Sequence, residues 1–228
     1  MSRSPLVDER YLDALASAYE GVAEAVTGRE ERDFLRPTRC TGWAVGDLLF
    51  HMLLDAERAL RTFASPAESP PDVDYATYWE PWSAANDQAL DHARFVRLSA
   101  SAHRSLSTIA TRWNDASSAA LRAARAADPA GRVSTQGHVL AVPDFVATLV
   151  VEAAVHHLDL VLDLPQAKAP GELPLRFVRE TVEAMLGEPV EPGWDDGTLA
   201  LKATGRVDLS GPERQSLGRV ANRFPVFS

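Results

Sequence analysis

A glutamate and a histidine lie one helical turn apart in a strongly apolar stretch of the chain, from Asp144 to Leu164. In a helix, the four-residue spacing of Glu152 and His156 places both side chains on one face. Burying a carboxylate or an imidazole without a partner is costly, so both groups must be paired, hydrogen-bonded or bound to a metal ion. The spacing alone favours a simple pair satisfied by another helix and leaves a metal site as the second interpretation.

A histidine earlier in the chain completes a possible ligand set. His51 lies at the margin of an apolar helical stripe, where a site reachable from solvent is expected, although such a histidine is more often a surface residue. Two imidazoles and one carboxylate are a common ligand set for a divalent transition metal, and three protein ligands leave one coordination position open, as in catalytic sites. We expect Asp159 or Asp55 to hold the tautomer of a ligating imidazole. His92 and His103 lack a companion ligand at helical spacing and are interpreted as surface residues.

Four helical segments are predicted to position these residues. The stretch from Asp144 to Leu164 is apolar around nearly its whole circumference, which predicts a buried helix of about six turns. The other segments run from about Asp8 to Val26, from about Val45 to Ala64, and from about Ser83 to Ala127, the last of them interrupted near its middle. An antiparallel four-helix bundle is the economical architecture for such segments, and sites in bundles are built from side chains of facing helices.

After Leu164 the chain changes character. The predicted elements are a proline-rich linker, a short helix from Leu175 to Leu186, a strand from Thr198 to Ala203, and a last short helix that begins with a capping box of Ser210 and Glu213. This part is too short to hold much core of its own, so we expect it to dock on the bundle. The sequence therefore predicts a mainly α fold, with the metal-binding bundle over residues 1–164 and a small C-terminal α/β appendage over residues 165–228.

Composition and charge narrow the class of protein. Hydrophobic residues make up 46% of the 228 residues and charged residues 24%, which is ordinary for a globular protein. The formal net charge of −9 argues against a nucleic-acid partner, because such proteins need clustered basic residues. Cys40 is the single cysteine, so the chain forms no intrachain disulfide and no cysteine-rich zinc site. Without a signal-peptide pattern or an apolar run of membrane-spanning length, we expect a cytoplasmic protein with no membrane partner.

Three blocks of the sequence resemble a known family. They are TGWAVGDLLFHMLLDAERAL around His51, VEAAVHHLDLVLDL around Glu152 and His156, and ATGRVDLSGPERQSLGRV near the C-terminus. Together they make the chain similar to the mycothiol-dependent maleylpyruvate isomerase family, within the wider DinB-like superfamily. The resemblance implies a DinB-like four-helix bundle in which His51, Glu152 and His156 hold a divalent metal ion, usually zinc.

The resemblance also implies an activity. Members use a low-molecular-weight thiol, mycothiol, to attack an electrophilic substrate, with the isomerisation of maleylpyruvate as the type reaction. Coordination to a divalent cation removes the proton of a thiol, whose pKa is otherwise near 8.5. For this chain the resemblance implies a thiol-activating enzyme whose partners are a small thiol and an electrophile. Arg206 is a candidate catalytic residue that pairs with a substrate carboxylate, and an exposed structural arginine is the alternative.

Other classes of function stay open at this point. One is a non-catalytic bundle that binds a metal or senses a ligand, and it predicts bound metal without thiol-dependent turnover. Another is a bundle in which Glu152 and His156 merely pair, and it predicts no bound metal. The sequence also leaves a homodimer open.

Overall fold

The structure is a computed structural model that describes residues 8–80, 87–190 and 193–227, without the side chains of residues 87–89. Its helices, in chain order, are α1 (Glu9–Val26), α2 (Val45–Phe63), α3 (Asp87–Ser101), α4 (Ser107–Ala126), α5 (Val142–Leu160), α6 (Glu172–Leu186), α7 (Asp196–Ala203) and α8 (Gly211–Leu217). A two-stranded antiparallel hairpin of β1 (Arg132–Thr135) and β2 (His138–Ala141) connects α4 to α5. The mainly α fold predicted from the sequence is confirmed.

Helices α1, α2, α4 and α5 form the four-helix bundle. Both α1 and α2 pack against α4 and α5, so that these four helices enclose one apolar core. Helix α5 is buried on nearly every side, as its composition predicts, with Val146, Leu149 and Leu160 fully inaccessible. Pro143 lies in its first turn, where the missing N–H costs nothing, and a 3-10 turn from Val161 to Asp163 ends it.

The third predicted segment contains two helices. Helices α3 and α4 are separated at residues 102–106, which confirms the predicted interruption, whereas residues 83–86 lie outside the described part of the chain. Helix α4 joins the bundle through buried residues such as Ile109 and Trp113. Helix α3 instead packs on the outside of α2, which brings its residues close to the start of that helix.

The strand predicted from Thr198 to Ala203 is wrong, because these residues form most of α7. The carboxylate of Asp195 accepts the backbone N–H of Thr198 at 2.6 Å and so caps the first turn of the helix. Leu199, Ala200 and Ala203 are fully buried, and their spacing places them on one side of a helix. A pattern of six residues is too short to distinguish the two-residue period of a strand from the 3.6-residue period of a helix.

The two strands found in the described residues lie between the predicted helical segments that end near Ala127 and begin at Asp144, where no strand was predicted. In the hairpin, Arg132 pairs with Ala141 and Thr135 with His138. The two residues between the strands, Gln136 and Gly137, both have positive φ, +49° and +86°, as a tight hairpin turn requires. The C-terminal part is therefore helical in the described residues, and the small sheet belongs to the bundle.

Helices α6 and α7 pack on the bundle, as predicted for the C-terminal part. Helix α6 lies against α1 and α5 and buries Phe177, Val178 and Val182 in the common core. At the start of α8, the carboxylate of Glu213 accepts the backbone N–H of Ser210 at 2.8 Å, which confirms the predicted capping box.

The prediction that no apolar run reaches membrane-spanning length is wrong, because one helical stretch, Val142–Asp163, is long and apolar enough to cross a membrane by length and composition alone. In this fold 78% of the most apolar 18-residue part of that helix is buried inside the protein. The core helix of a soluble bundle has the same property, so the fold is consistent with a soluble protein.

Candidate metal centre

Helices α2 and α5 lie side by side and bring the three predicted ligands together. The Nε2 atom of His51 lies 3.1 Å from Oε1 of Glu152, and Nε2 of His156 lies 3.4 Å from the same oxygen. One ligand atom from each of the three residues falls within 4.8 Å of the others. Their side chains are 18%, 22% and 12% exposed, so the cluster is reachable from solvent.

The charges of this cluster are set by the pairing of Glu152 with His156. Burial raises the pKa of Glu152, but the charge of His156 and hydrogen bonds from His156 and His51 outweigh it and hold the pKa well below its usual value. Burial lowers the pKa of His156, but the charge of Glu152 and the contact with Asp159 hold it well above its usual value. The pairing therefore favours the protonated form of His156, and a metal ion that binds its Nε2 atom must displace that proton.

A buried carboxylate fixes the orientation of His156. Asp159 is fully buried, and its Oδ2 atom accepts a hydrogen bond from Nδ1–H of His156 at 3.1 Å. That bond leaves Nε2 of His156 facing Glu152, as a metal-ligating histidine requires. Of the two carboxylates expected to hold an imidazole, Asp159 makes the contact, whereas Asp55 pairs with Arg58 on its own helix.

The guanidinium of Arg206 neutralises this buried carboxylate. Its Nε and Nη2 atoms lie 3.2 Å and 3.0 Å from the two oxygens of Asp159. Burial raises the pKa of Asp159, but the hydrogen bond from His156 and the charge of Arg206 outweigh it and hold the pKa at about 2. Asp159 is therefore a carboxylate at any physiological pH.

A tight turn after α7 aims Arg206 at the cluster. Gly205 has a φ of +71°, in the left-handed region, and a Cβ added there would lie 3.3 Å from Pro225. The N–H of Arg206 then donates to the carbonyl of Leu201 at 2.8 Å. With its guanidinium bound to Asp159 inside the protein, Arg206 has a contact that the sequence did not predict. Its pairing with a substrate carboxylate stays a prediction.

Sequence reasoning missed Cys40, which lies beside the same histidine. Its Sγ atom lies 3.3 Å from Oδ2 of Asp159 and 3.9 Å from Nδ1 of His156. The loop is fixed to the end of α5 because the N–H of Arg39 donates to the carbonyl of Asp159 at 3.2 Å. The sequence offered one indication that Cys40 lies near the site. Cys40 directly precedes the block that begins at Thr41 and contains His51.

His92 is exposed, as the sequence predicted, but its contact with the ligand set was not predicted. Its Nε2 atom lies 3.2 Å from Nδ1 of His51, and the two rings are nearly perpendicular at 76°. Burial lowers the pKa of His92, and the charge of His51 lowers it further. The Nε2 atom of His51 faces Glu152, so a metal ion bound at Nε2 would leave the proton of His51 on Nδ1, where a neutral His92 is positioned to accept it.

Replacing His92 with alanine is expected to weaken binding of a divalent metal at this cluster by roughly 10–100-fold. The cause is the loss of the acceptor that selects the ligating tautomer of His51, and His92→Gln should recover part of the affinity because its amide oxygen also accepts. Competition with a chromophoric zinc chelator measures the effect. His103→Ala is the matched control, because that ring packs on Phe50 instead. If His92→Ala bound the metal as tightly as the wild type, the contact between His92 and His51 would not orient the His51 ring.

The neighbouring histidine, His157, plays no part in the cluster. It is 1% exposed and faces α1, where a Cβ added to Gly21 would lie 2.9 Å from its Cε1 atom. Burial lowers its pKa to about 4, so the ring is neutral and packs as a core residue. The prediction that His157 points away from the ligand stripe is confirmed.

The fold and the cluster together define the class of protein. It is a four-helix bundle in which two histidines and one carboxylate converge between two of the helices. Residues 15–161 match the family model described as the mycothiol maleylpyruvate isomerase N-terminal domain, and the chain belongs to that family.

Solved structures show the same fold. The crystal structure of the mycothiol-dependent maleylpyruvate isomerase superposes with a TM-score of 0.61 at 13% sequence identity, covering 91% of this chain and 93% of that one. A histidine-to-alanine mutant of the enzyme gives the same TM-score of 0.61 at 14% identity. The fold is thus DinB-like. No curated protein sequence matched the chain.

Proposed function

We propose that this protein is a metal-dependent enzyme that activates a low-molecular-weight thiol, mycothiol by family membership, for addition to or isomerisation of a small electrophile. The observation that carries the proposal is the convergence of His51, Glu152 and His156, whose ligand atoms lie within 4.8 Å of one another. Two imidazole nitrogens and one carboxylate oxygen suit zinc and leave a coordination position for a thiol. A bound zinc ion would supply the positive charge that lowers the pKa of that thiol.

The chain's own residues prepare the cluster for this role. Asp159 accepts the Nδ1–H of His156, and Nδ1 of His51 lies against Nε2 of His92, so that the Nε2 atoms of both candidate ligands face Glu152. Arg206 keeps Asp159 charged at its buried position. Because these contacts order the ligands before any partner arrives, little reorganisation accompanies metal or thiol binding. We further propose that the protein acts in the cytoplasm, where small thiols stay reduced.

The test combines elemental analysis with an assay of electrophile consumption. Protein purified without chelator is expected to carry about one zinc ion per chain, and to consume maleylpyruvate or a related electrophile only when mycothiol is present. Glutathione in place of mycothiol measures the selectivity for the thiol. Bound metal without turnover of any electrophile would favour a non-catalytic metal-binding bundle. Protein that carries no metal and binds none on addition would favour a simple pair of Glu152 and His156.

A further inference from the structure

Cys40, Asp159 and His156 form a second group of metal-ligating atoms, at the other ring nitrogen of His156. The Sγ atom of Cys40 lies 3.3 Å from Oδ2 of Asp159 and 3.9 Å from Nδ1 of His156. The Nδ1 and Oδ2 atoms are 3.1 Å apart, and the three residues each offer one ligand atom within 4.8 Å of the others. The candidate metal centre with His51 and Glu152 uses Nε2 of His156, whereas this group uses Nδ1.

The separations of these three atoms suit a shared metal ion. Bonds of about 2.0–2.3 Å at tetrahedral angles place neighbouring ligand atoms roughly 3.3–3.6 Å apart. The observed separations, from 3.1 to 3.9 Å, bracket that range. In the structure, the S–H of Cys40 and the Nδ1–H of His156 both donate to Oδ2 of Asp159. The same three atoms can therefore hold either two protons or one metal ion.

The backbone on both sides of Cys40 is fixed by hydrogen bonds. Its N–H donates to Oγ1 of Thr38 at 3.2 Å, and its carbonyl accepts the N–H of Trp43 at 3.0 Å. The N–H of Arg39 joins the same loop to the carbonyl of Asp159 at 3.2 Å. Cys40 is only partly buried, so an ion can reach its sulfur from solvent. The Sγ atom is thus held near the other two ligand atoms before an ion arrives, as a pre-organised site requires.

The neighbouring guanidinium of Arg206 is compatible with an ion at this position. Its Nη2 atom lies 3.0 Å from Oδ2 of Asp159, and its Nε atom lies 3.2 Å from Oδ1. An ion on Oδ2 competes with the first contact and leaves the second. Ligand atoms bind a metal in their deprotonated form, so the ion displaces the protons of the Cys40 thiol and of Nδ1. Two positive charges arrive as two protons leave this position, and the local charge stays balanced.

The sulfur atom determines which ions this group prefers. Thiolate is a soft ligand that selects thiophilic ions, whereas the candidate metal centre offers only imidazole nitrogen and carboxylate oxygen. A neutral imidazole binds a metal through one ring nitrogen and carries its proton on the other. A thiophilic ion on Nδ1 of His156 therefore leaves the proton on Nε2, and a protonated Nε2 cannot be a ligand of the candidate metal centre.

We propose that Cys40, Asp159 and Nδ1 of His156 form a second metal position, which takes a thiophilic ion and, when filled, removes His156 from the ligand set of His51 and Glu152. Soft metal ions are then antagonists of the candidate metal centre, because they capture its shared histidine. The inference requires no thiol-dependent activity. Its failure and the failure of the proposed function are therefore distinguishable.

Cadmium chloride added to the metal-free full chain tests the proposal by ultraviolet absorption. A cadmium–thiolate bond gives a charge-transfer band, whereas bonds to nitrogen and oxygen do not. Cys40 is the single cysteine, so the band reports this position alone. We expect a saturable band in the wild type and in His51→Ala, which lacks a ligand of the candidate metal centre only. Cys40→Ser should show no band, and a wild type without the band would overturn the proposal.

His156→Ala separates the proposed ligand set from a cysteine that binds cadmium by itself. The cadmium affinity read from the band should fall by more than roughly tenfold, because removing a residue that only orients a ligand already costs roughly 10–100-fold. The matched control is His138→Ala, which removes an imidazole that contacts Asp72 and should bind cadmium like the wild type. Circular dichroism verifies that both variants are folded. An unchanged cadmium affinity in His156→Ala would overturn the proposal.

Nitrogen NMR of the His156 ring identifies the atom that binds the ion. In the cadmium-loaded protein we expect the metal on Nδ1 and the proton on Nε2. His156→Ala identifies the signals of this ring by their loss. Cadmium on Nε2, with the proton on Nδ1, would place the ion with His51 and Glu152 and would contradict the second position.

Discussion

Replacing His156 with alanine is expected to abolish metal binding while the helices remain folded. His156 is the central residue of the cluster, because its Nε2 atom faces Glu152 and its Nδ1 atom faces Asp159. Removing a residue that only orients a ligand lowers metal affinity by up to roughly 100-fold. His156→Ala removes a ligand itself, so its loss of metal affinity should be larger. Inductively coupled plasma mass spectrometry of dialysed protein measures the metal, and circular dichroism measures the helices.

The fold should tolerate this substitution because the neighbouring charges keep their partners. Asp159 retains Arg206, and Glu152 retains His51 and stays partly exposed. The matched control is His138→Ala, which removes an imidazole that lies on β2 and contacts Asp72. It should bind one metal ion per chain like the wild type. One equivalent of tightly bound metal in His156→Ala would refute the ligand set.

Replacing Arg206 with methionine is expected to destabilise the protein by about 3–5 kcal/mol, because Asp159 would be left as a buried charge without its cation. In a protein of this size each kcal/mol lowers the melting temperature by roughly 2–4 °C. Thermal unfolding followed by circular dichroism measures the loss. Metal affinity should also fall, because the Asp159 carboxylate that orients His156 would then be disfavoured in its charged form.

A double variant isolates the cause of this destabilisation. Adding Asp159→Asn to Arg206→Met removes the unpaired buried charge and should restore much of the lost stability. Arg219→Met, at an exposed position of the same C-terminal region, should leave the melting temperature unchanged. If Arg206→Met unfolded like the wild type and only raised KM for an acidic electrophile, the guanidinium would serve the substrate and not Asp159.

The prediction that Glu152 and His156 share one site rested on helix geometry. The spacing of Glu152 and His156 required both side chains to share a face once α5 formed, and an all-round apolar helix had to be the centre of a bundle. The same reasoning failed for Thr198 to Ala203, where six alternating residues fit either periodicity. The cap at Asp195 and the one-sided burial of Leu199 and Ala200 decided for a helix.

The sequence by itself determined the helices of the bundle and the three candidate ligands, because each depends on local periodicity or on residue type. Only the tertiary structure decided which groups support those ligands. Cys40 and His92 lie on a loop and on an outer helix, and the turn at Gly205 directs Arg206 to Asp159 from 47 residues away. Contacts between distant segments depend on how loops dock and helices pack, and such packing leaves no repeating pattern along the chain.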